Sequence, residues 1–373
     1  MHLLFIIIVI AIIYVLQKRL YHRYWKRGLK TSLTFDREYM ECGEEAELAI
    51  EIVNDKALPL PVFHFKFSVD RVLRFSDMEN SVVTDFYHRN DVFSILGYQK
   101  IRRNLSFRST ERGFFRVENV NVMVRDFFMS STFAESRKED QGIYVFPEKL
   151  DQVKVEQLVR GKVGEIAAKR SLIEDPLTFR GLRDYQQGDP YRSINMKQSA
   201  RTGEWKVNLR EPTEDAEVRI LLNLDTDNMI RTDRLLEEAI SLASTLARVY
   251  LAKKERVSLW SNGLGAGQSK LTVPGSGAEL SHGITLDKYL SEIRESEGKD
   301  AFLDRLVRER ENLRLNVLYI VISPYCKEDM QGELDRFKEQ DGAVICIVPH
   351  YRSRRLSVHR EDVTGWEVDD YED

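Results

Sequence analysis

Apolar residues run without interruption from Leu3 to Leu16, LLFIIIVIAIIYVL, before the polar Gln17. That pattern predicts a membrane-spanning helix, extended by snorkelling at His2, Gln17 and Lys18 toward the roughly 20 residues a bilayer needs. The basic residues Lys18, Arg19, Arg23, Lys26 and Arg27 follow the run. A cleaved signal peptide has the opposite order, and the positive-inside rule places the bulk of the chain in the cytoplasm. Tyr21, Tyr24 and Trp25 are placed for the headgroup region.

From Leu33 to Pro147 the pattern becomes alternation. AELAIEIV (46–53) and VFHFKFSV (62–69) alternate with period two, NDKALPLP (54–61) reads as a turn and edge, residues 104–126 hold two strands around Arg112 and Gly113, and GIYVFP (142–147) ends the set. Short strands with no helix-length segment between them predict an antiparallel β-sandwich. Residues 151–178 read as a polar connector without a strong period. The pattern changes again at Glu217. VRILLNLD (218–225) is a buried-strand run, and residues 233–254 show a broad helical apolar face with Asp233 placed to cap its start and Lys253 and Lys254 at its end. RVSLWSN (256–262) is a strand with KLTV (270–273) as its hairpin partner. A helix begins near Leu286, LNVLYIVIS (315–323) is a strand, ELDRFKEQ (333–340) a helix and AVICIVP (343–349) a last strand. That alternation predicts an α/β domain with a mostly parallel sheet covered on both faces and right-handed crossovers. The expected organisation is an anchor over 1–28, a β-sandwich over 29–150, a connector and signature segment over 151–215, an α/β domain over 216–352 and an acidic tail over 353–373.

Composition narrows the function classes. Fifty-six basic against 60 acidic residues leave a net charge of −4, which excludes coating of nucleic acid by bulk charge. Residues 161–210 are locally basic, with ten basic and six acidic side chains, whereas 361–373 carries seven acids and no base and reads as a solvated tail. The three cysteines, Cys42, Cys326 and Cys346, lack CxxC spacing, which excludes a disulfide framework or zinc knuckle and suits a reducing compartment. Cys346, inside AVICIV, reads as core. Cys326 reads as a surface thiol at a strand end, with His350 after the next strand. His64 and His88 are isolated and read as surface or structural residues. No GxxxxGK[ST], GxSxG or HExxH occurs, so Walker-type nucleotide, serine-hydrolase and zincin readings have no motif to rest on.

The densest pattern is FRGLRDYQQGDPYRSINMKQSARTGEWKVNLREP, residues 179–212. Gly188 suits a tight turn with positive φ, Pro190 fixes the chain after it, and Asp189 is placed to cap a short helix over DPYRSINMKQSAR. Arg192 is within reach of Asp184 or Glu204, and Ile194 and Ala200 are expected to face a sheet. One reading makes the segment a buried or half-buried ion-pair joint between the two domains. The other leaves Arg183, Arg192 and Arg201 exposed around a cleft that receives an anionic partner surface. Further on, Asp225 and Asp227, on a loop with Thr226 at a strand's carboxyl end, are oxygen ligands for a hard cation such as Mg2+; alternatively, Asp225 caps its loop.

The order Arg183-x-Tyr185-x-x-Gly188-Asp189-x-x-Arg192-x-Ile194, followed by Ser199-Ala200-Arg201, resembles the signature of the DUF58 family. ERGFFRVENVNVMVRDFF (111–128) is similar to the family's upstream stretch. The resemblance implies a bacterial membrane-anchored protein with a β-rich region and a C-terminal von Willebrand factor A-like domain. It also implies a MoxR-type AAA+ ATPase as partner, acting on membrane or envelope complexes. LLNLDTDNM resembles the start of the von Willebrand A metal site, Asp-x-Ser-x-Ser, with Asp225 as its first acid, Asp227 and Met229 next, and Pro324 where a later acid falls. The implied Mg2+ site is degenerate. These features together imply a protein-interaction scaffold without catalytic residues or a nucleic-acid partner. The competing expectation is a metal-dependent or thiol enzyme at the membrane face using Asp225 or Cys326.

Overall fold

The structure, a computed structural model, describes residues 2–171, 179–186, 194–210, 217–225, 233–296, 299–354, 360 and 362–370. They divide into two compact units, Met1–Glu148 and Lys149–Asp373.

The first unit begins with α1 (His2–Tyr24), of which Leu3–Tyr24 is long and apolar enough to cross a membrane. Leu3 to Leu16 are exposed along its whole circumference, and packing begins near Gln17. Tyr21 is buried and donates its hydroxyl to the Pro59 carbonyl at 2.8 Å, and Trp25 stacks on Phe133. Gly28, at φ +65°, then turns the chain where a Cβ would stand 2.7 Å from the Asp55 carbonyl oxygen.

Twelve strands follow: β1 (Leu29–Phe35), β2 (Tyr39–Glu41), β3 (Glu45–Asn54), β4 (Leu60–Asp70), β5 (Leu73–Phe75), β6 (Ser81–Val83), β7 (Phe86–Ile95), β8 (Gln99–Ser109), β9 (Gly113–Arg116), β10 (Asn119–Arg125), β11 (Thr132–Lys138) and β12 (Gly142–Phe146). They form sheets of order β1-β3-β8-β5, β11-β10-β4-β7-β6 and β2-β12-β9. Pairing is antiparallel except between β2 and β12. Alternation places Leu48, Ile50 and Ile52 of β3, Phe63, Phe65 and Phe67 of β4 and Val120, Val122 and Val124 of β10 in one core. The span 104–126 holds parts of three strands rather than two. β1, β7 and β11 escaped the sequence pattern altogether.

The inward face of β7 shows why. It carries Tyr87, Arg89 and Asp91, all at most 1% exposed, so a polar stripe occupies core positions. Arg89 donates from Nε to Asp91 Oδ2, from Nη2 to Asp77 Oδ2 and from Nη1 to the Asp77 carbonyl, each at 2.8 Å, and from Nη1 to the Tyr87 hydroxyl at 3.0 Å. Arg103 braces the same acids, donating to Asp77 Oδ2 at 2.8 Å and lying 3.1 Å from Asp91 Oδ1. The hydrogen bond from Arg89, followed by that from the Glu79 amide, holds the Asp77 carboxyl down at about 2. A depressed carboxyl contributes stability that is complete above its ordinary value and is lost as pH falls through the folded one. Acidification from about pH 4 to about pH 2 is therefore expected to weaken this unit, and less so in Asp77→Asn. The urea midpoint for hydrogen exchange in β7 and β8, compared across that range, checks it. An equal loss in the variant would remove Asp77 as a source.

The second unit opens with α2 (Gln152–Ser171) where the sequence reads as a connector. Val155 and Val159, one turn apart, are buried in the core with Leu158 packed beside them, while Val153 is exposed, so the apolar face is short and leaves no strong periodic signal. Next come β13 (Phe179–Asp184), α3 (Met196–Thr202), β14 (Lys206–Arg210), β15 (Glu217–Leu222), α4 (Asp233–Ala252), β16 (Arg256–Ser261), β17 (Gly263–Leu264), α5 (Leu280–Glu292), β18 (Glu295–Ser296), α6 (Lys299–Glu311), β19 (Val317–Ile322), α7 (Glu328–Glu339), β20 (Ala343–Tyr351) and β21 (Val363–Val368).

The main sheet, of order β16-β15-β19-β20-β21, is parallel throughout. Ile220, Leu222, Ile320, Ile322, Ile345 and Ile347 face α2, α4 and α5, whereas Leu221, Tyr319, Val321 and Cys346 face α6 and α7. Burial on both faces explains their continuous apolar runs. Buried Asp287 of α5 fastens that helix to α4, accepting from Ser244 Oγ at 2.6 Å and from Arg248 Nη2 at 2.6 Å.

Two expectations are corrected. KLTV (270–273) forms no strand; Gly277 bridges Val257 at this edge, and β17 pairs with β18. The acidic tail is not solvated throughout, because residues 363–368 form β21 at the sheet edge beside β20. Val363 and Val368 are buried, and Trp366 donates to Glu238 Oε1 at 2.8 Å, which anchors the strand despite its acids.

Candidate functional site

Counted along the chain, the five parallel strands lie in the order 2-1-3-4-5, which reverses between β15 and β19. In such sheets the crevice for a ligand opens at the carboxyl ends of the strands beside the reversal. Each strand there runs straight into a polar residue: Asn223 after β15, Asn262 after β16 and Ser323 after β19, all at most 1% exposed. Asn223 Oδ1 accepts from the Asp225 amide and from Asn262 Nδ2, both at 3.1 Å, and its Nδ2 donates to Ser323 Oγ at 3.0 Å. Asn262 Oδ1 accepts from the Leu224 amide at 2.8 Å, and Ser323 Oγ donates to the Tyr325 carbonyl at 2.6 Å. The three strand ends are thereby stitched into one polar floor.

Asp225 stands on this floor, buried. Ser296 Oγ donates to its Oδ1 at 2.6 Å and the Tyr325 hydroxyl to its Oδ2 at 3.4 Å. Mg2+ demands near-octahedral oxygen ligands, whereas the Asp225 carboxylate is engaged by the hydroxyls of Ser296 and Tyr325. No cluster of three His, Cys, Asp or Glu occurs among the described residues. Asp227 and Met229 lie outside the described residues. Asn223, Asn262, Ser296, Ser323 and Tyr325 were not singled out from sequence. The available signal was the abrupt polar residue ending each apolar run.

The arginine-rich segment forms a separate feature. β13 and β14 pair antiparallel with Asp184 opposite Lys206. Asn195 caps α3: its Oδ1 accepts from the Gln198 amide at 3.1 Å, and Gly203 closes the helix at φ +77°. Ser199 is the clasp between helix and strand, because its hydroxyl donates to the Asn195 carbonyl at 2.8 Å and accepts from the Lys206 amide at 2.9 Å. Ile194 is buried and bridges Val207, while Ala200 is exposed rather than facing a sheet. Arg183 is half-buried with Nη1 donating to the Asp184 carbonyl at 3.0 Å, and Arg201 is exposed. Gly188, Asp189 and Arg192 lie outside the described residues.

Lys206 pairs with Asp184 and Glu204. Those acids are 73% and 74% exposed and Lys206 is 20% exposed, so the described ion pairs are half-buried on one side only. Leu182, Tyr185, Met196 and Trp205 are exposed beside these charges. Residues 181–356 match DUF58.

That family's model is described as a protein of unknown function. The DUF58 segment takes in the hairpin and the parallel sheet through β20, while α1, the β-sheets of the first unit and β21 lie beyond it. No curated protein matches the chain. Among solved structures, a CARDB domain from Pyrococcus furiosus is similar at 10% identity over 31% of this chain and 86% of that one, with a TM-score of 0.21. A non-cellulosomal cohesin from Archaeoglobus fulgidus gives 15% identity over 34% and 96%, with a TM-score of 0.21. The sporulation control protein Spo0M from Bacillus subtilis gives 11% identity over 43% and 58%, with a TM-score of 0.18.

Within the DUF58 segment, Cys326 is buried at 8% exposure and is not a surface thiol. Its neighbour is Cys346 on β20 rather than His350. A hydrogen bond from Cys346 lowers the Cys326 thiol, and the same contact with full burial raises Cys346. His350 Nδ1 instead lies 3.1 Å from the carbonyls of Tyr351 and Arg354.

Proposed function

We propose that the protein is a membrane-anchored interaction scaffold whose signature hairpin docks a protein partner. The observation that carries this reading is the clustering of exposed apolar side chains. Eight large apolar residues are exposed among the described residues of Lys149–Asp373, and four of them, Leu182, Tyr185, Met196 and Trp205, belong to the hairpin and α3. Scattered apolar residues are normal on a surface, whereas a cluster rimmed by charge marks a contact site. Aromatics, Met and Arg are also the types enriched at interface centres. Arg201 and Lys197, both exposed, would face acids on the partner.

In this reading α1 is an uncleaved anchor with the remainder cytoplasmic, as the basic residues after its apolar run favour. The C-terminal unit is von Willebrand A-like, supported by Asp225 at the carboxyl end of β15 in a parallel sheet covered on both faces. The partner is a MoxR-type AAA+ ATPase engaged in assembling membrane or envelope complexes, as the family resemblance implies. A thiol enzyme has less support because Cys326 is shielded and turned to Cys346. A metal enzyme has less because no cluster of three His, Cys, Asp or Glu occurs among the described residues.

Cross-linking and affinity capture of the full-length protein from native membranes tests this, with Tyr185→Ser/Trp205→Ser in parallel. The variant is expected to keep its thermal transition and to lose about tenfold or more of the captured ATPase, the range of an interface hot spot. Undiminished capture by the folded variant would sink the docking role of the hairpin.

A further inference from the structure

The β10–β11 turn carries apolar side chains where turns ordinarily carry Gly, Asn or Asp. Phe127, Phe128 and Met129 are 62%, 50% and 60% exposed. The turn is nevertheless locked. Asp126, fully buried, accepts from Ser130 Oγ at 2.7 Å and from the Ser131 amide at 3.0 Å, and the Met129 amide returns to the Asp126 carbonyl at 2.9 Å with Met129 at φ 56°. The same carboxylate accepts from Gln17 Nε2 of α1 at 2.8 Å. An aromatic pair is thus held out to solvent by a turn fixed to the helix at the end of its apolar run.

Its depth follows from the helix. The Phe128 ring lies 6.1 Å from that of Tyr14, inside the apolar run. Tyr14 is four residues before Lys18, or about 6 Å further along the axis toward the apolar end. If Lys18 sits among head groups, Phe128 sits among acyl chains. Beside the turn, a cavity of about 680 Å³ between α1 and Ser131 and Phe133 is lined by Lys18, Arg19, His22 and Arg23 above an apolar floor that includes Val15. A shallower apolar groove continues along α1 past Ile12 and Ile8, sharing Val15 and Arg19. Cations next to an apolar groove match an anionic head group joined to acyl chains.

We infer that the β10–β11 turn and α1 together form an anionic-phospholipid site, with Phe127, Phe128 and Met129 inserted into the bilayer and the head group held by Lys18, Arg19, His22 and Arg23. The inference rests on α1 being a membrane anchor. The first unit is then seated on the bilayer surface in one orientation instead of swinging on a tether.

The full-length protein, reconstituted into phosphatidylcholine vesicles containing phosphatidylglycerol, is irradiated with a diazirine on the acyl chain of one lipid or the other. Trypsin releases Asp126–Arg137 and the α1 peptide ending at Lys18 as separate fragments. Adducts are expected on both peptides, several-fold more from phosphatidylglycerol than from phosphatidylcholine. Lys18→Gln/Arg19→Gln/Arg23→Gln, whose α1 peptide ends at Lys26, is expected to abolish that preference, and Phe127→Ser/Phe128→Ser to remove adducts from Asp126–Arg137 alone. Adducts on the α1 peptide without any on Asp126–Arg137 would overturn the site while leaving the anchor standing. Adducts on neither would overturn the anchor as well. Equal labelling by the two lipids would overturn the recognition of an anionic head group.

Discussion

Arg89→Met is expected to destabilise the first unit by about 3–5 kcal/mol, the cost of removing one partner from a buried ion pair. Arg89 and Asp91 side chains are both 0% exposed, so water cannot take over the missing interactions. Without the guanidinium, Asp91 keeps Arg103, 3.1 Å away, and the Asp77 carbonyl keeps the Tyr87 hydroxyl at 3.1 Å, while the Tyr87 oxygen loses the donor it accepts from. Met fills similar space, which separates charge loss from cavity formation. Adding Asp91→Leu removes the stranded charge and is expected to recover most of the loss, because an apolar replacement of a buried pair is often neutral. The urea dependence of hydrogen exchange in β7 and β8 isolates this unit from the other. A single-variant loss below about 1 kcal/mol would place the pair in the range of surface salt bridges and contradict its structural role.

The same stripe shows which parts of the fold were legible in sequence. β3, β4 and β10 were readable because alternate positions are apolar, and α4 because Leu235, Ala239, Ile240, Leu242, Ala243 and Leu246 keep a helical face. β7 was not, because Arg89 and Asp91 stand where apolar residues are expected; they pair with each other, and their remaining partners are Asp77 and, on β8, Arg103. α6 was missed for a related reason. It buries Phe302, Leu306 and Glu309, the last held by Arg219 at 2.6 Å, so its inner face is partly charged. β21 looked like a solvated tail because its acids dominate composition, whereas pairing with an open edge of β20 decided its conformation.

The candidate sites divide in the same way. The hairpin was legible as a motif, since the clasp of Ser199 to Lys206 and the exposure of Tyr185 depend on residues within one short segment. The strand-end floor was not, because Asn223 meets Asn262 and Ser323 across 39 and 100 residues. Only the sheet order brings those three ends together. Their burial also explains why amides and hydroxyls occur there at all: each satisfies a neighbour's donor or acceptor where water does not reach.

Asn223→Leu is expected to cost the second unit about 2–4 kcal/mol, since an unpartnered buried donor costs about 1–3 kcal/mol and more than one is disturbed. The Asp225 amide loses the Asn223 side chain as acceptor. Asn262 Nδ2 keeps Ser296 Oγ at 3.3 Å, and Ser323 Oγ keeps its bond to the Tyr325 carbonyl, so the damage centres on Asp225. Hydrogen exchange should rise first at residues 223–225, with the β13–β14 hairpin unaffected. Asp225→Asn is the sharper probe of use, because it removes the charge with little change in size and retains an acceptor for Ser296. If the hairpin is the docking surface, partner capture survives Asp225→Asn and falls with Tyr185→Ser/Trp205→Ser. If capture falls with Asp225→Asn in a protein whose thermal transition is unchanged, the partner reads the carboxylate at the crevice. The docking surface would then lie at the carboxyl ends of β15 and β19, and the exposed aromatics of the hairpin would need another explanation.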